Sequence, residues 1–315
     1  MKKFLLKCLC FFFSLLILGF LWDTVASHIL RNSDNIRYKR WECLYQPIEA
    51  DLLIVGNSRA AYHVDPFKLD SIFQVETYNL GISGGPIEIS DVAWKLYRSH
   101  NKKVPGVVLC NVDFLWLGDY HFPYPKEEYL LYLHDSCFLE IVKDINFSLA
   151  ELYIPGVKYM EEIAFVFDNL RNTKENSSES RGIFFRKGAV LLDQEYRPLN
   201  FLPASRHFRR SEKRIDLFNK FLDECRLENI PVILFLSPIQ EAAYKDLSGI
   251  DDSFTLIDSL ARSQNLPVLD YTDYMIADSS LFWDPAHLNK RGAELFSVRL
   301  AHDVDSLLKT LDIEL

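Results

Sequence analysis

The stretch Asp51–Pro66, DLLIVGNSRAAYHVDP, decides how the rest of the chain is read. Leu52 to Val55 form a short continuous apolar run, which fits a strand buried on both faces. The run stops at Gly56-Asn57-Ser58-Arg59, where Gly56 permits a sharp turn, and RAAYHV then begins a helix. Ser58 therefore falls at the carboxyl end of a strand, where open parallel sheets bind ligands. On its own the segment has a second reading, in which Asn57 or Ser58 only caps the helix.

Further along, the same alternation recurs. VETYNLGISGG (75–85) reads as a strand ending in glycines, and ISDVAWKLYRSHN (89–101) spaces Ile89, Val92, Ala93 and Leu96 as a helix face. VPGVVLCNVD (104–113) is a third strand. SEKRIDLFNKFLDECRLENI (211–230) is an amphipathic helix leading into the strand PVILFLSP (231–238). DDSFTLIDSLARSQN (251–265) is a helix before the strand LPVLDY (266–271), and a last helix starts near Asn289. Continuous apolar strands separated by helices imply a parallel sheet covered on both faces. Between the third and fourth strands, from about 114 to 210, the pattern loosens into a long, mainly helical insertion. Such an insertion either shapes substrate access or serves as a packing or partner surface.

The N-terminus departs from this pattern. MKKFLLKCLCFFFSLLILGFLWDTVA carries Lys2, Lys3 and Lys7 and then runs apolar from Cys8 to Trp22, near the lower limit for a spanning helix when Phe4 to Leu6 are counted in. Residues 1–28 are expected to be an uncleaved anchor or a cleaved signal segment, with a weak cleavage site around Val25 to Ser27. The basic flank favours the cytoplasm, so the remainder would lie outside. Residues 29–50 read as a polar connector and 51–315 as the α/β domain. With 315 residues, one large domain or two modest ones can be built. A net charge of −9 argues against broad nucleic-acid binding. Cys43, Cys110, Cys137 and Cys225 could pair as disulfides, although Cys110 ends an apolar run like a buried thiol.

The other informative stretch is Leu281–Ser297, LFWDPAHLNKRGAELFS. Asp284 stands three residues before His287, just ahead of the last helix. A serine nucleophile needs a base, and the base needs an orienting acceptor; Asp284 and His287 suit those two roles. The alternative is that Asp284 and Asn289 merely order the helix start, with His287 at the surface. Gly84, after the second strand, and Asn111, at the end of the third, are candidate donors to a developing oxyanion, together with the backbone N–H of Ser58.

At these residues the chain resembles the SGNH (GDSL-type) hydrolase superfamily. Ser58 in VGNSR, Gly84 in GISGG and Asp284-x-x-His287 in DPAHLN match its blocks. The third block departs, with LCNVD in place of Gly-x-Asn-Asp, so that Asp113 stands one residue further on than the usual aspartate. The resemblance covers about Asp51–Asp113 and Pro231–Leu308. It implies a three-layer, flavodoxin-like α/β fold and a carboxylic ester hydrolase or O-acyltransferase. The implied catalytic residues are Ser58, His287 and Asp284, the oxyanion donors are Ser58, Gly84 and Asn111, and no cofactor or metal is required. The layout of one N-terminal span before such a domain is similar to members of teichoic acid D-alanyl-transfer and alginate acetylation type. Those members sit at the outer face of bacterial membranes and move acyl groups on envelope polymers. By that likeness the expected substrate is an acyl ester, chiefly acetyl, of a cell-envelope glycan, with a membrane acyl-donor protein as a further partner. The rival reading is a non-catalytic scaffold or glycan-binding module.

Other features carry less. GISGGP lacks GxGxxG or a Walker lysine. The eight histidines show no metal-ligand spacing. Arg59 could attract an anionic glycan, but is expected to be a solvated residue at a helix start. HFRRSEKR (207–214) reads as the exposed start of a helix.

Overall fold

Leu52–Val55 do form a strand, β1, with every side chain buried. In chain order the strands are β1, β2 (Thr77–Asn79), β3 (Val107–Asn111), β4 (Ile183–Arg186), β5 (Ala189–Leu192), β6 (Arg206–His207), β7 (Val232–Leu236), β8 (Leu247–Ser248), β9 (Val268–Asp270), β10 (Phe282–Asp284) and β11 (His287–Leu288). The structure is a computed structural model that describes residues 1–113, 115–120, 124–171, 178–198, 206–243 and 247–315. The chain divides into one unit of Met1–Glu42 with Pro123–Arg181 and another of Cys43–Phe122 with Gly182–Leu315.

The second unit is a mixed α/β fold on a five-stranded parallel sheet in the order β2-β1-β3-β7-β9. This is the doubly wound order of the flavodoxin-like arrangement, whose switch point lies between β1 and β3. From there the chain turns one way to β2 and the other way to β7, leaving a crevice at the strands' carboxyl ends. Helix α12 (Lys290–Leu311) packs against α3 (Ser58–His63) and α4 (Pro66–Phe73), and α5 (Ile87–His100) packs against α10 (Glu212–Leu227). A further helix, α11 (Ile250–Ser263), precedes β9. Side chains alternate along each strand. Leu52, Ile54, Val107, Leu109, Ile233 and Phe235 join Phe296 and Leu300 of α12 in one core. Burying each such side chain contributes roughly 1.5–3 kcal/mol. Cys110 and Cys225 are free buried thiols, pushed up by burial, Cys225 to about 12.

Two expectations are corrected here. β2 is shorter than VETYNLGISGG suggests. The Asn79 amide donates to Ala60 O and Val64 O, and its Oδ1 accepts from Gly81 N, which turns the continuation into a loop held on α3. The segment 114–210 is also not one helical insertion. Its described residues 115–120 and those from Gly182 onward belong to the α/β unit, where β4 and β5 form an antiparallel hairpin. Lys187 O accepts from Asn79 N at 2.9 Å, which seats the hairpin beside the edge strand β2. Gly188 lies so close that a Cβ would sit 1.8 Å from Asn79 O. The polar run 171–182 lies partly outside the described residues.

In the first unit, α1 (Lys2–Arg31) is followed by α2 (Ile36–Leu44), so the connector read as 29–50 contains a helix. Tyr38 and Trp41 explain it: both are fully buried although charged residues surround them in sequence. α6 (Lys126–Tyr129), α7 (Leu139–Asp144), α8 (Leu149–Tyr153) and α9 (Ile163–Arg171) complete the unit. Trp41 packs edge-on against Phe138, which stacks on Tyr132 at 4.6 Å. α1 is long and apolar enough to cross a membrane as an anchor or to serve as a signal sequence. Its end is built into the unit: Ala26 and Leu30 are fully buried, and Ser27 Oγ lies 2.7 Å from Tyr159 Oη.

Candidate active site

Ser58 is the first residue of α3, and Asn57 is its cap, with Oδ1 accepting from Arg59 N at 3.0 Å. The capping role therefore falls to Asn57 and leaves the Ser58 hydroxyl unspent. Gly56 makes the turn with φ 153°, where a Cβ would lie 2.8 Å from Ala60 Cβ and 2.9 Å from Asn111 Cβ. Only glycine fits that position, which is why the strand breaks there. Ser58 is partly exposed, unlike its neighbours Asn57 and Arg59.

The tail brings Asp284 and His287. They oppose one another on the β10–β11 ladder, which is irregular between Phe282 and Asp284. Asp284 is wholly buried, and its Oδ1 accepts from Ala286 N at 2.8 Å and His287 N at 2.9 Å. These two amides fix the carboxylate beneath the ring. His287 Nδ1 lies 3.0 and 2.9 Å from the two Asp284 oxygens, and Nε2 lies 2.8 Å from Ser58 Oγ. With Nδ1 donating to the carboxylate, Nε2 is the lone pair left to accept the serine proton. The structure thus joins Ser58, His287 and Asp284 in one hydrogen-bonded series.

The candidate oxyanion donors divide. The Ser58 N–H opens α3 and has no intrahelical acceptor. Gly84 adopts φ +77°, with open space where a Cβ would project. Its loop is tied to the site by Tyr62, which donates to Ser83 Oγ and packs edge-on against His287 at 5.1 Å. Asn111 departs from the expectation. Its amide donates to Phe235 O at 3.2 Å and Ser237 Oγ at 3.0 Å, so both hydrogens hold the end of β7.

Arg59 requires a correction as well. It is 2% exposed rather than solvated, and its Nε donates to Asp113 Oδ2 at 2.7 Å. Nη1 adds a bond to Ser237 O at 3.3 Å. The aspartate displaced by one residue in the third block thus neutralises the arginine beside the serine, fastening β1's turn to the ends of β3 and β7. HFRRSEKR is likewise only partly exposed, because Arg214 is buried against Glu88 and the carbonyls of Gly118 and Tyr120.

The sequence reading did not single out His63. It is fully buried at the end of α3, and its Nε2 accepts from Leu288 N at 3.1 Å. Burial, then the nearby His287 and Arg59 charges, hold it well below the usual histidine range. Its position five residues after Ser58 on a short helix was the available signal. Among the described residues, no three of His, Cys, Asp and Glu are grouped to hold a metal ion.

No protein-family model and no curated protein matches the chain. Solved structures do. One is assigned to the lipolytic proteins of the G-D-S-L family, from Desulfitobacterium hafniense DCB-2, with 11% identity, 80% of this chain and 97% of that chain covered, and a TM-score of 0.40. Another is assigned as an acylhydrolase from Bacteroides fragilis NCTC 9343, with 12% identity, 88% and 97% covered, and a TM-score of 0.40. A third is a GDSL-like lipase from Bacteroides thetaiotaomicron VPI-5482, with 13% identity, 87% and 99% covered, and a TM-score of 0.41.

Proposed function

We propose that the chain is a membrane-anchored serine esterase or O-acyltransferase of SGNH type, acting outside the cytoplasm on acyl, chiefly acetyl, esters of envelope glycans. The observation that carries this reading is the 2.8 Å contact between Ser58 Oγ and His287 Nε2, with Asp284 bonded to the opposite nitrogen. Ser58 Oγ attacks the acyl carbonyl as its proton passes to His287 Nε2. The imidazolium is stabilised by the buried Asp284 carboxylate. The Ser58 and Gly84 N–H groups receive the oxyanion, and Asn111 supports the site by ordering β7. His287 then protonates the leaving alkoxide, which departs as the alcohol. Water, or a sugar hydroxyl in a transferase, attacks the acyl-serine with His287 as base, and the proton returns to Ser58.

A second reading, a glycan-binding module without turnover, is favoured by the engaged Asn111 amide. One experiment separates the two: labelling the full chain in detergent with a fluorophosphonate, beside Ser58→Ala and His287→Ala. Labelling lost in the first variant and sharply reduced in the second is expected. A folded wild type that never labels would favour the binding module.

A further inference from the structure

We infer that the segment 149–167 of the first unit is a lipid-contacting collar around α1, seated in the outer interface of the bilayer that α1 crosses. The inference rests on α1 spanning a membrane and is independent of the serine chemistry.

The observations begin with Gly19 of α1. A Cβ there would lie 2.6 Å from Pro155 O, so glycine allows the loop after α8 to lie directly on the helix. Gly156, at φ +80°, meets it from the other side, with a Cβ position 2.8 Å from Gly19 O and 3.0 Å from Trp22 Cδ1. Trp22 also packs on Phe167 of α9, with ring centroids 6.0 Å apart. At the next residue the side-chain contacts become polar. Asp23 Oδ1 accepts from Gly156 N at 3.2 Å and lies 3.5 Å from Lys158 Nζ, and Ser27 meets Tyr159. The change from apolar to polar contacts falls between Trp22 and Asp23.

That level agrees with the length of the apolar segment. With Phe4 to Leu6 counted in across Lys7, Phe4 to Trp22 spans about 28 Å of helix, against a hydrocarbon thickness of about 30 Å. Trp22 then stands at the outer boundary, where aromatic side chains concentrate. Gly19 lies about 4.5 Å deeper along the axis, so the loop resting on it reaches below the boundary. Interfacial elements bury their apolar faces about 5–10 Å into that boundary.

The segment carries the surface such a position requires. Leu149 is 75% exposed, Tyr153 74% and Met160 61%, and Ile154, Ile163 and Phe167 are also exposed. On α9, Ile163 and Phe167 share one face while Val166 is fully buried. α1 itself exposes apolar residues such as Phe20 and Leu21 beside Gly19, so lipid that covers the helix at that level meets the loop resting on Gly19. Glu161 and Asp168, exposed within and just beyond the segment, set the limit of its depth at the headgroups.

The test is photolabelling of the full chain in phosphatidylcholine vesicles containing a phospholipid with a diazirine on its acyl chain, read by peptide mass spectrometry. Label on residues 8–22 reports the span itself. Leu227, 83% exposed in the α/β unit, serves as the water-facing reference. The expected result is label on 149–167 several-fold above the Leu227 peptide. Replacing Leu149 and Tyr153 by Asp should remove that excess and leave label on α1 unchanged; both side chains are mostly exposed, so little packing is lost. Label on α1 with 149–167 at the reference level overturns the collar while keeping the span. Cross-links joining 149–167 of two copies, without lipid label, would assign the face to self-association and overturn it too. An unlabelled α1 removes the span and the inference with it, whatever the serine probe shows.

Discussion

His63 Nε2 accepts the N–H of Leu288 at 3.1 Å, so the residue that ends the helix of Ser58 holds the residue that follows His287. Ser58 and His287 belong to elements 229 positions apart, and this bond fixes the distance between them a second time. Replacing His63 by Ala leaves a buried N–H without an acceptor, at a cost of about 1–3 kcal/mol. Fluorophosphonate labelling should slow, and Gln, which can still accept from Leu288, should restore part of the rate.

The same residue predicts a pH dependence. His63 stays neutral in the folded protein well below its ordinary value of 6.5, whereas the unfolded chain takes up the proton there. Stability is therefore complete above about pH 6.5 and falls as the pH drops, by up to about 1.4 kcal/mol per pH unit from this group. Urea melts at pH 7 and pH 5.5 should show a smaller loss in His63→Gln than in wild type. Equal losses would sink the assignment.

In the proposed triad, Asp284→Asn should keep the fold and slow acylation by on the order of 10⁴-fold, because an amide favours the wrong imidazole tautomer. Stopped-time labelling of the folded variant measures this. A rate near that of wild type would remove Asp284 from the mechanism.

Breaking the Arg59–Asp113 pair leaves a buried charge. Asp113→Ala is expected to cost about 3–5 kcal/mol. The double variant Arg59→Met with Asp113→Leu should lose less than the two single changes together. Denaturation midpoints for the four proteins form the cycle that tests it.

The two glycines at the site should respond differently. At Gly84 a methyl group meets open space, and only the positive φ is penalised, by about 1–2 kcal/mol. At Gly56 the added methyl collides with Ala60 and Asn111 as well. Gly56→Ala should therefore melt at a clearly lower temperature than Gly84→Ala, and the reverse order would contradict the turn geometry.

The sheet was legible because its strands are short, continuous and apolar, and β1 announces its end with Gly56. Asp284 and His287 were legible because both lie in one turn. Arg59 was misread for a physical reason: its environment is set by Asp113 and Ser237, just past the ends of β3 and β7, which sequence spacing cannot bring together. The helix Ile36–Leu44 was hidden because Tyr38 and Trp41 are buried among residues that read as solvated. The β4–β5 hairpin depends on Asn79 offering an edge N–H to Lys187 O, a contact with no local signature. Asn111 has the right residue type, but its amide faces β7, and only coordinates reveal a side chain's orientation.

Ala26 and Leu30 make the last turns of α1 part of the first unit's interior. The last turns of the helix are therefore structural material, and cutting near Val25 would strip that interior of one wall. With α1 in a bilayer, as proposed, folding of residues 124–171 and insertion of α1 become linked equilibria. Bilayer thickness, which sets how far α1 emerges, then acts on the unit's melting temperature much as a ligand's concentration acts on a soluble receptor.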